Sequence, residues 1–253
     1  MYRFALRPLW IVSHVFVALL VVMCVSLGFW QLRRHDERAE RNAQVIARSE
    51  APVAELDDLV ASTDDLESTR YRPVTVTGEY ALGSDLLVDN RSNDGLPGSW
   101  VVTPLRTADG TVVAVSRGFL GFEGGELTPP APPSGTVTVT GTALPWRDSC
   151  GERTDDAGVV IGAACMDESA VEAVAGGPVA PLAIQQEVSS AGDQGLVPVP
   201  LPELDSGPHR GYAVQWFIFA TIGLIGYPLV IRKVGNDKAH EAAAPTDEPV
   251  DSP

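Results

Sequence analysis

The sequence predicts an α+β membrane protein in which two transmembrane helices bracket a small antiparallel β-rich extracytoplasmic domain, barrel- or sandwich-like. The chain has 253 residues, and two long runs near its ends, 8–32 and 211–231, contain no Asp, Glu, Lys or Arg. At about 1.5 Å per helical residue, each run can cross a hydrocarbon core of about 30 Å. Between the runs, short segments of alternating apolar and polar residues are separated by Gly and Pro, which is typical of strands.

This pattern divides the chain into five segments. In order, they are a cytoplasmic N-terminus 1–8, a transmembrane helix 9–32, an extracytoplasmic β-rich domain 33–210 with a helical extension 33–48, a transmembrane helix 211–231 and a disordered cytoplasmic tail 232–253. The extension is predicted because helix-forming residues continue directly from the first span. The tail is predicted to be disordered because it is poor in apolar residues and rich in Pro, Ala and acidic residues.

The first apolar run has a second interpretation, a cleaved signal peptide with Arg3 and Arg7 as its charged region. The run is too long for the apolar region of a signal peptide, and no mature start follows a small-residue cleavage site. Trp10 and Trp30 lie near its two ends, where amphipathic rings meet lipid headgroups. The pattern therefore favours an uncleaved anchor.

The basic residues give opposing indications about orientation. Three of them, Arg232, Lys233 and Lys238, follow the second run and only Arg210 precedes it, which predicts a cytoplasmic C-terminus and hence a cytoplasmic N-terminus. Around the first run the bias is reversed, because four arginines follow it within ten residues. A Lys-free, Arg-, Ala- and Val-rich middle segment is typical of a high-GC bacterium, so we predict a multi-pass protein of the bacterial plasma membrane with both termini cytoplasmic.

Two cysteines between the runs support placing the middle segment outside. Cys150 and Cys165 are fifteen residues apart, and a structural disulfide in an oxidising compartment explains such a pair. Two free thiols are the alternative.

Composition excludes several classes of function. The formal net charge is −15 and the sequence pI is about 4.5, whereas nucleic-acid binding requires a basic face. Segment 33–210 alone holds 28 carboxylates against 13 arginines, which suits a basic partner or simply a solvated face. The 4 histidines and 3 cysteines are too scattered for a zinc finger or an iron–sulfur cluster.

The residue pattern of the middle segment predicts short strands joined by turns. Strands are predicted at 71–80, 85–90, 99–105, 111–119, 136–144, 158–162 and 181–188, with short helices at 55–59 and 167–175. Asp109-Gly110 predicts a hairpin between the third and fourth of these strands.

Motifs for common catalytic sites are absent from the sequence. It contains no Gly-Lys-Ser/Thr phosphate loop, HExxH, CxxC or Gly-x-Ser-x-Gly, each of which supplies a defined chemistry. This absence counts against a catalytic role, and an extracytoplasmic enzyme remains an alternative at this point.

One histidine stands out by its position. His209 immediately precedes the second span, and Ala213 and Trp216 share its helical face. An imidazole above a small and aromatic stripe could bind the iron of a flat, apolar macrocycle, while Arg34 and Arg210, at the same depth, could pair with its propionates. The alternative is a histidine that merely lies at the headgroup level.

Four short motifs follow one another along the chain. They are Leu27-Gly28-Phe29-Trp30-Gln31 with Arg34; Arg91-x-x-x-Gly95-x-Pro97-Gly98 followed by Val101-Val102-Thr103-Pro104-Leu105; Val115-Ser116-Arg117-Gly118-Phe119; and Pro208-His209-Arg210-Gly211-Tyr212-Ala213-Val214-Gln215-Trp216-Phe217. In this order they resemble the motifs of the Surfeit-locus cytochrome c oxidase assembly proteins. The chain departs from the family pattern at Ser116, where Asn is usual, at Phe119, where Trp is usual, and at Glu37-Arg38, where a Lys is common.

The resemblance implies a non-enzymatic factor that assists delivery of haem a to subunit I of the haem–copper oxidase. Its implied partners are subunit I and other oxidase subunits, the haem A synthase and membrane lipid. His209 would be the axial ligand of the haem iron, Trp30 and Trp216 the aromatic walls, and Arg34 or Arg210 the propionate partners. The alternatives are a permanent structural subunit of the oxidase or respiratory supercomplex, and an unrelated membrane-tethered β-domain.

Overall fold

The computed structural model describes residues 3–122, 124, 127–147, 150–192 and 195–243. The chain divides into two compact units, one formed by Met1–Asn42 with Leu204–Pro253 and the other by Ala43–Glu203. The helices are α1 Pro8–Ser49, α2 Leu56–Ala61, α3 Glu168–Ala175 and α4 His209–Ala243, and the strands are β1 Ala54–Glu55, β2 Pro73–Tyr80, β3 Leu86–Asn93, β4 Leu96–Thr107, β5 Val112–Gly121, β6 Thr136–Pro145, β7 Glu152–Thr154, β8 Val160–Ala163 and β9 Leu182–Ser189.

Two helices are long and apolar enough to cross a membrane, judged by length and composition. They are α1 and the part of α4 from His209 to His240. Within the most apolar 18-residue stretch of each helix, only 11% of α1 and 6% of α4 is buried inside the protein. The core helix of a soluble domain would be mostly buried. The helix predicted for 33–48 continues from the first apolar run without a break, as one element of 42 residues.

Small residues bring α1 and α4 into contact within the first unit. Cys24 and Gly28 of α1 are buried, as are Ala213 and Ala220 of α4. A Cβ atom at Gly28 would lie 2.7 Å from the ring of Phe217. Helices in an apolar solvent associate through such close backbone approach, because the hydrophobic effect does not drive them together there.

A polar cluster joins the same two helices near their other ends. The Tyr227 hydroxyl lies 2.8 Å from Ser13 Oγ and 2.8 Å from His14 Nδ1. His14 Nε2 donates to the carbonyl of Ala5 at 3.1 Å. Both ring nitrogens of His14 are therefore engaged within the protein, and this histidine has a packing role.

The C-terminal tail is more ordered than the sequence predicts. Segment 232–253 is predicted to be disordered, but α4 continues to Ala243. The reason is local: Lys, Ala and Glu between 238 and 243 are strong helix formers, and the segment simply extends a helix that is already nucleated. Residues 244–253 lie outside the described part of the chain.

The β-rich unit is a single mixed sheet, which corrects the prediction of an antiparallel barrel or sandwich. The strand order is β1-β2-β6-β9-β5-β4-β3-β8-β7, with a further short pairing between β2 and β4. β1–β2, β3–β8 and β5–β9 are parallel. Alternation along a strand predicts which face is buried but not which strand is its neighbour, and long connections permit parallel partners that hairpins do not.

Helices cover both faces of the curled sheet. One core cluster combines Leu56 and Leu59 of α2 with buried residues of β2, β4, β5, β6 and β9. The other combines Ala170 and Val171 of α3 with residues of β3, β4, β5, β8 and β9. Asp167 caps the N-terminus of α3 with its carboxylate, which accepts from the Ser169 amide, and Gly176 in the left-handed conformation caps the C-terminus.

Two local features agree with their sequence signals. Asp109-Gly110 forms the turn between β4 and β5, where the Thr107 amide donates to the Thr111 carbonyl at 2.9 Å and Gly110 adopts a φ of 91°. Cys150 and Cys165 are joined by a disulfide with a Cα–Cα distance of 5.8 Å, and β7 and β8 pair between them.

The β-rich unit contains one arginine that is almost completely buried, Arg117 of β5. Its guanidinium donates to the carbonyl of Pro130 at 3.0 Å and to that of Ala131 at 3.3 Å. It also contacts Thr103 Oγ1 at 3.3 Å and the Asp85 carboxylate at 3.5 Å. A buried charge is tolerated only when it is hydrogen-bonded and paired, so this network holds β5 to the 130–131 segment.

We expect Arg117→Met to destabilise the β-rich unit by about 3–5 kcal/mol, because it leaves a partly buried carboxylate without its cation. Arg153→Gln is the matched control, since Arg153 and Asp89 form a solvent-exposed pair at 2.8 Å, and such pairs contribute up to about 1 kcal/mol. Urea unfolding of the full chain in detergent would measure both variants. Equal losses for the two variants would contradict the structural role of Arg117.

Candidate functional site

The candidate site is the end of the first unit where α4 begins. His209, the first residue of α4, is half-buried, and its Nδ1 donates to Gln31 Oε1 of α1 at 2.9 Å. The helix starts here because Pro208 restricts the preceding backbone, and the Pro208 carbonyl then accepts from the Tyr212 amide at 3.2 Å.

The hydrogen bond from His209 to Gln31 selects one form of the imidazole. When Nδ1 carries the proton, Nε2 presents a lone pair. Among the described residues, the hydrogen bond to Gln31 is the one polar contact of the His209 ring. A metal-binding histidine commonly has this arrangement, in which the second ring nitrogen donates to an oxygen that orients the ring.

The segment before His209 is tied to α1 by an ion pair and a hydrogen bond. Arg38 Nη2 lies 2.9 Å from Asp205 Oδ1, and Asn42 Nδ2 donates to the Asp205 carbonyl at 2.9 Å. Gly207 has a φ of 63°, and a Cβ there would lie 3.0 Å from Arg38 Nη1 and 3.1 Å from His209 Cδ2. The turn at Gly207 therefore lies directly against the imidazole and limits its movement.

Trp216 lies on the same side of α4 as His209, two turns further along. Ala213 and Ala220, on that side, are 1% and 6% exposed, which identifies it as the side that packs in the helix pair. The Trp216 ring is half-buried and meets Phe219 edge to face, with centroids 5.9 Å apart. The structure thus places an imidazole and an indole on one helix face, with small residues between them.

The other predicted residues are arranged differently. Trp30 is 46% exposed, and at 100° per residue it is about 200° around α1 from the buried Gly28, so it faces away from α4. Arg34 pairs with Glu37 at 2.8 Å. The exposed Arg210 side chain has no hydrogen bond or ion pair within the described part of the chain. His209 and Trp216 are brought together, Arg210 is adjacent and available, and Trp30 is separate.

Sequence reasoning did not assign a role to Gln31, Arg38 or Asp205. Gln31 carried a signal, because an amide inside an otherwise apolar run needs a hydrogen-bond partner. Arg38 and Asp205 carried none, since they are 167 positions apart in charged segments. Only the packing of α4 against α1 brings them together.

The donor set fits one kind of metal group. Among the described residues, no three His, Cys, Asp or Glu side chains lie close enough to hold a metal ion together. A bare ion such as zinc requires about four protein or solvent ligands, whereas a metal held in a macrocycle needs one axial ligand from the protein. His209 with its oriented imidazole can supply that single ligand.

We expect Gly28→Ala to weaken the helix pair, because its new Cβ would clash with the Phe217 ring and overpacking typically costs about 1–3 kcal/mol. Gly226→Ala is the control, since a Cβ there meets nothing within 4 Å. Thermal unfolding of the full chain in detergent should show a lower Tm for Gly28→Ala alone. Adding Phe217→Leu should restore part of the loss; no recovery would contradict the contact.

The sequence is similar to a protein-family model and to several known proteins. The SURF1 family model matches residues 18–221. A SURF1-like protein of Mycobacterium tuberculosis is 28% identical over 258 residues, covering 98% of this chain and 93% of the relative. A SURF1-like protein of Rickettsia felis is 28% identical over 109 residues, 42% of this chain and 46% of the relative. One of Dictyostelium discoideum is 30% identical over 104 residues, 39% of this chain and 38% of the relative.

Proposed function

The chain belongs to the SURF1 family, and from that premise we propose that it is a membrane-anchored, non-enzymatic assembly factor for the haem–copper cytochrome c oxidase. In this proposal it holds haem a and assists its insertion into subunit I. The observation that carries the proposal is the hydrogen bond from His209 Nδ1 to Gln31, which leaves Nε2 able to bind iron.

Three features support a transmembrane arrangement with the β-rich unit outside. α1 and α4 have the length and composition of membrane spans. Cys150 and Cys165 form a disulfide, which persists in oxidising compartments. The basic residues after 231 favour a cytoplasmic C-terminus. The proposed location is therefore the bacterial plasma membrane, with both termini cytoplasmic.

The chain's own residues have distinct proposed roles at the site. His209 Nε2 would bind the iron, and Gln31 would hold the imidazole in the correct tautomer and orientation. Trp216 would form an apolar wall, and the unpaired Arg210 guanidinium would bind a propionate, which guanidinium groups can do bidentately. Arg34 would have to leave Glu37 to do the same. When bound, haem a would supply the iron centre and the planar ring that these groups recognise.

A site built from one ligand suits transfer rather than storage. A single imidazole from a two-helix surface provides modest affinity, so the group can pass to a partner that offers more contacts. The proposed partners are subunit I and other oxidase subunits as acceptors, the haem A synthase as donor, and the lipids around α1 and α4. Trp30, which faces away from α4, would contact lipid or one of these partners.

A permanent accessory subunit is the second candidate. It is favoured by the outward faces of α1 and α4, where large apolar side chains such as Phe16, Leu19 and Ile222 are 61–64% exposed and could pack against oxidase helices. A permanent subunit should co-purify with the mature oxidase in a fixed ratio. An assembly factor should instead be present in less than one copy per oxidase.

We expect His209→Ala to abolish haem a binding by the purified full chain. Gln31→Leu should weaken binding about 10–100-fold, because loss of the group that orients a metal-binding histidine has effects of this size. His240→Ala is the control, since this histidine is exposed near the end of α4. Absorption titrations and pyridine haemochrome spectra would measure bound haem a; full retention by His209→Ala would show that the ligand assignment is wrong.

We expect cysteine labelling to report the orientation. Ala108→Cys lies in the exposed β4–β5 turn and Asn236→Cys in the exposed end of α4. A membrane-impermeant maleimide should label Ala108→Cys in intact cells and Asn236→Cys only after lysis. The background is low because Cys24 is buried and the other two cysteines are bonded. The reverse labelling pattern would contradict the proposed topology.

A further inference from the structure

A cleft in the β-rich unit combines arginines with an apolar lining. It has a volume of about 320 Å³ and is lined by twelve residues of the second unit, among them Arg70, Arg91, Trp100, Arg147 and Met166. We refer to this cavity as the arginine cleft. Its size is at the lower end of the range typical of small-molecule sites, about 300–1,000 Å³.

Arg91 enters the cleft without a carboxylate partner. Its guanidinium lies over the Trp100 ring at 4.5 Å from the centroid, and Nη2 donates to the Ala164 carbonyl at 3.2 Å. Its Nε atom is buried and has no hydrogen-bond partner. A buried donor left unpaired carries a desolvation cost.

A β-bulge sets the direction of Arg91. The register between β3 and β4 shifts between Val88 and Arg91, and Asn90 adopts a φ of 56°, a conformation that Asn tolerates better than most residues. Bulges commonly re-aim a side chain beside a functional site.

The second arginine of the cleft is Arg147; after the hydrogen bond from Arg70, its positive charge also contributes to lowering the pKa of Glu67. Its exposed side chain has no ion pair with any described residue. Arg70, by contrast, is held by Glu67 through two hydrogen bonds of 3.0 and 2.7 Å. The hydrogen bond from Arg70 is the main cause that lowers the pKa of Glu67.

These two arginines lie close enough to repel each other. Burial, followed by the charge of Arg147, lowers the pKa of Arg91, although Asp89 opposes the shift. In a segment with 28 carboxylates for 13 arginines, neither of these adjacent arginines forms an ion pair with a described carboxylate, although Asp89 lies near enough to act on Arg91 and Glu67 near enough to be affected by Arg147. The larger cavity beside Asp85 and Asp89 differs in this respect, because its carboxylates already pair with Arg117 and Arg153.

We propose that the arginine cleft binds an oxyanion, a carboxylate or phosphate, that is carried on an apolar body. Guanidinium groups match the geometry of these oxyanions and bind them bidentately. Trp100, Leu144 and Met166 provide apolar surface for the rest of the ligand. The proposal is independent of haem handling, because every residue that carries it belongs to the β-rich unit.

The test uses the full chain in a non-ionic detergent and isothermal titration with four probes. They are phenyl phosphate and benzoate, which combine an anion with a ring, inorganic phosphate, which has no apolar body, and benzamide, which has no charge. We expect phenyl phosphate or benzoate to bind more tightly than inorganic phosphate, and benzamide not to bind.

Arg147→Gln should weaken binding of the ring-bearing anion at least tenfold, because it removes one of the two unpaired cations. Arg106→Gln is the matched control: it removes an equal charge from an exposed position on β4 of the same unit and should leave binding unchanged. Arg91→Lys keeps the positive charge but loses the planar guanidinium, with its paired N–H donors and its stacking on the Trp100 ring. This variant should therefore also weaken binding. Circular dichroism and Tm would confirm that each variant is folded.

Two results would overturn the proposal. One is equal binding by the Arg147→Gln and Arg106→Gln variants, which would show only general attraction of anions to the surface. The other is absence of binding of every anionic probe to the folded wild-type chain. His209→Ala should leave anion binding intact, so failure of the haem proposal and failure of this one are distinguishable.

A lipid headgroup and a soluble ligand can offer the same oxyanion, and a further measurement separates them. The full chain would be placed in nanodiscs of phosphatidylcholine alone or with phosphatidylglycerol, and phenyl phosphate titrated into each. Weaker probe binding in the phosphatidylglycerol discs, absent from the Arg147→Gln variant, would identify a headgroup as the occupant. Equal binding in both discs would show that the anionic headgroup does not occupy the cleft, and tighter binding in detergent than in either disc would show that the phosphate common to both lipids does.

Discussion

The close approach of α1 and α4 at Gly28 is the constraint on which the candidate site depends. Because Gly28 has no side chain, the Phe217 ring can lie where a Cβ would otherwise be. One turn further along α1, Gln31 then comes within 2.9 Å of the His209 imidazole. A larger residue at Gly28 would separate the helices and break this bond. The geometry of the site thus depends on a packing contact between Gly28 and Phe217, neither of which is a proposed ligand.

The two ends of the helix pair use histidine in different ways. His14 has both ring nitrogens engaged, with Tyr227 and with the Ala5 carbonyl, and so contributes to packing. His209 has one nitrogen engaged with Gln31 and, among the described residues, no hydrogen bond at the other. The residue type is the same, but the number of satisfied nitrogens distinguishes a structural histidine from a candidate ligand. The same reasoning applies to the arginines, since Arg117 is fully surrounded by acceptors and carboxylate, whereas Arg91 and Arg147 are not.

Local sequence patterns predicted most of the helices and strands. The absence of charge in two long runs predicted both apolar helices, and alternation with Gly and Pro turns predicted the strands from Pro73 to Ser189. The sequence did not predict which strands pair with each other, because side chains alternate with a period of two in parallel and antiparallel strands alike. The short strands β1 and β7, of 2 and 3 residues, were missed since they are too short to show a period. The tail was misjudged at 232–243, where composition suggested disorder but an existing helix needed only to continue.

By itself, the sequence determined where the chain is apolar, where strands can form, and that a histidine begins the second apolar helix. These properties depend on residues close together along the chain. Only the tertiary structure decided that Gln31 orients His209, that Arg38 pairs with Asp205, and that Arg91 and Arg147 share a cleft. The residues brought together are 178 positions apart in the first case and 56 in the last. A local sequence pattern cannot predict that such distant residues lie close together, because their proximity depends on how the intervening helices and strands pack.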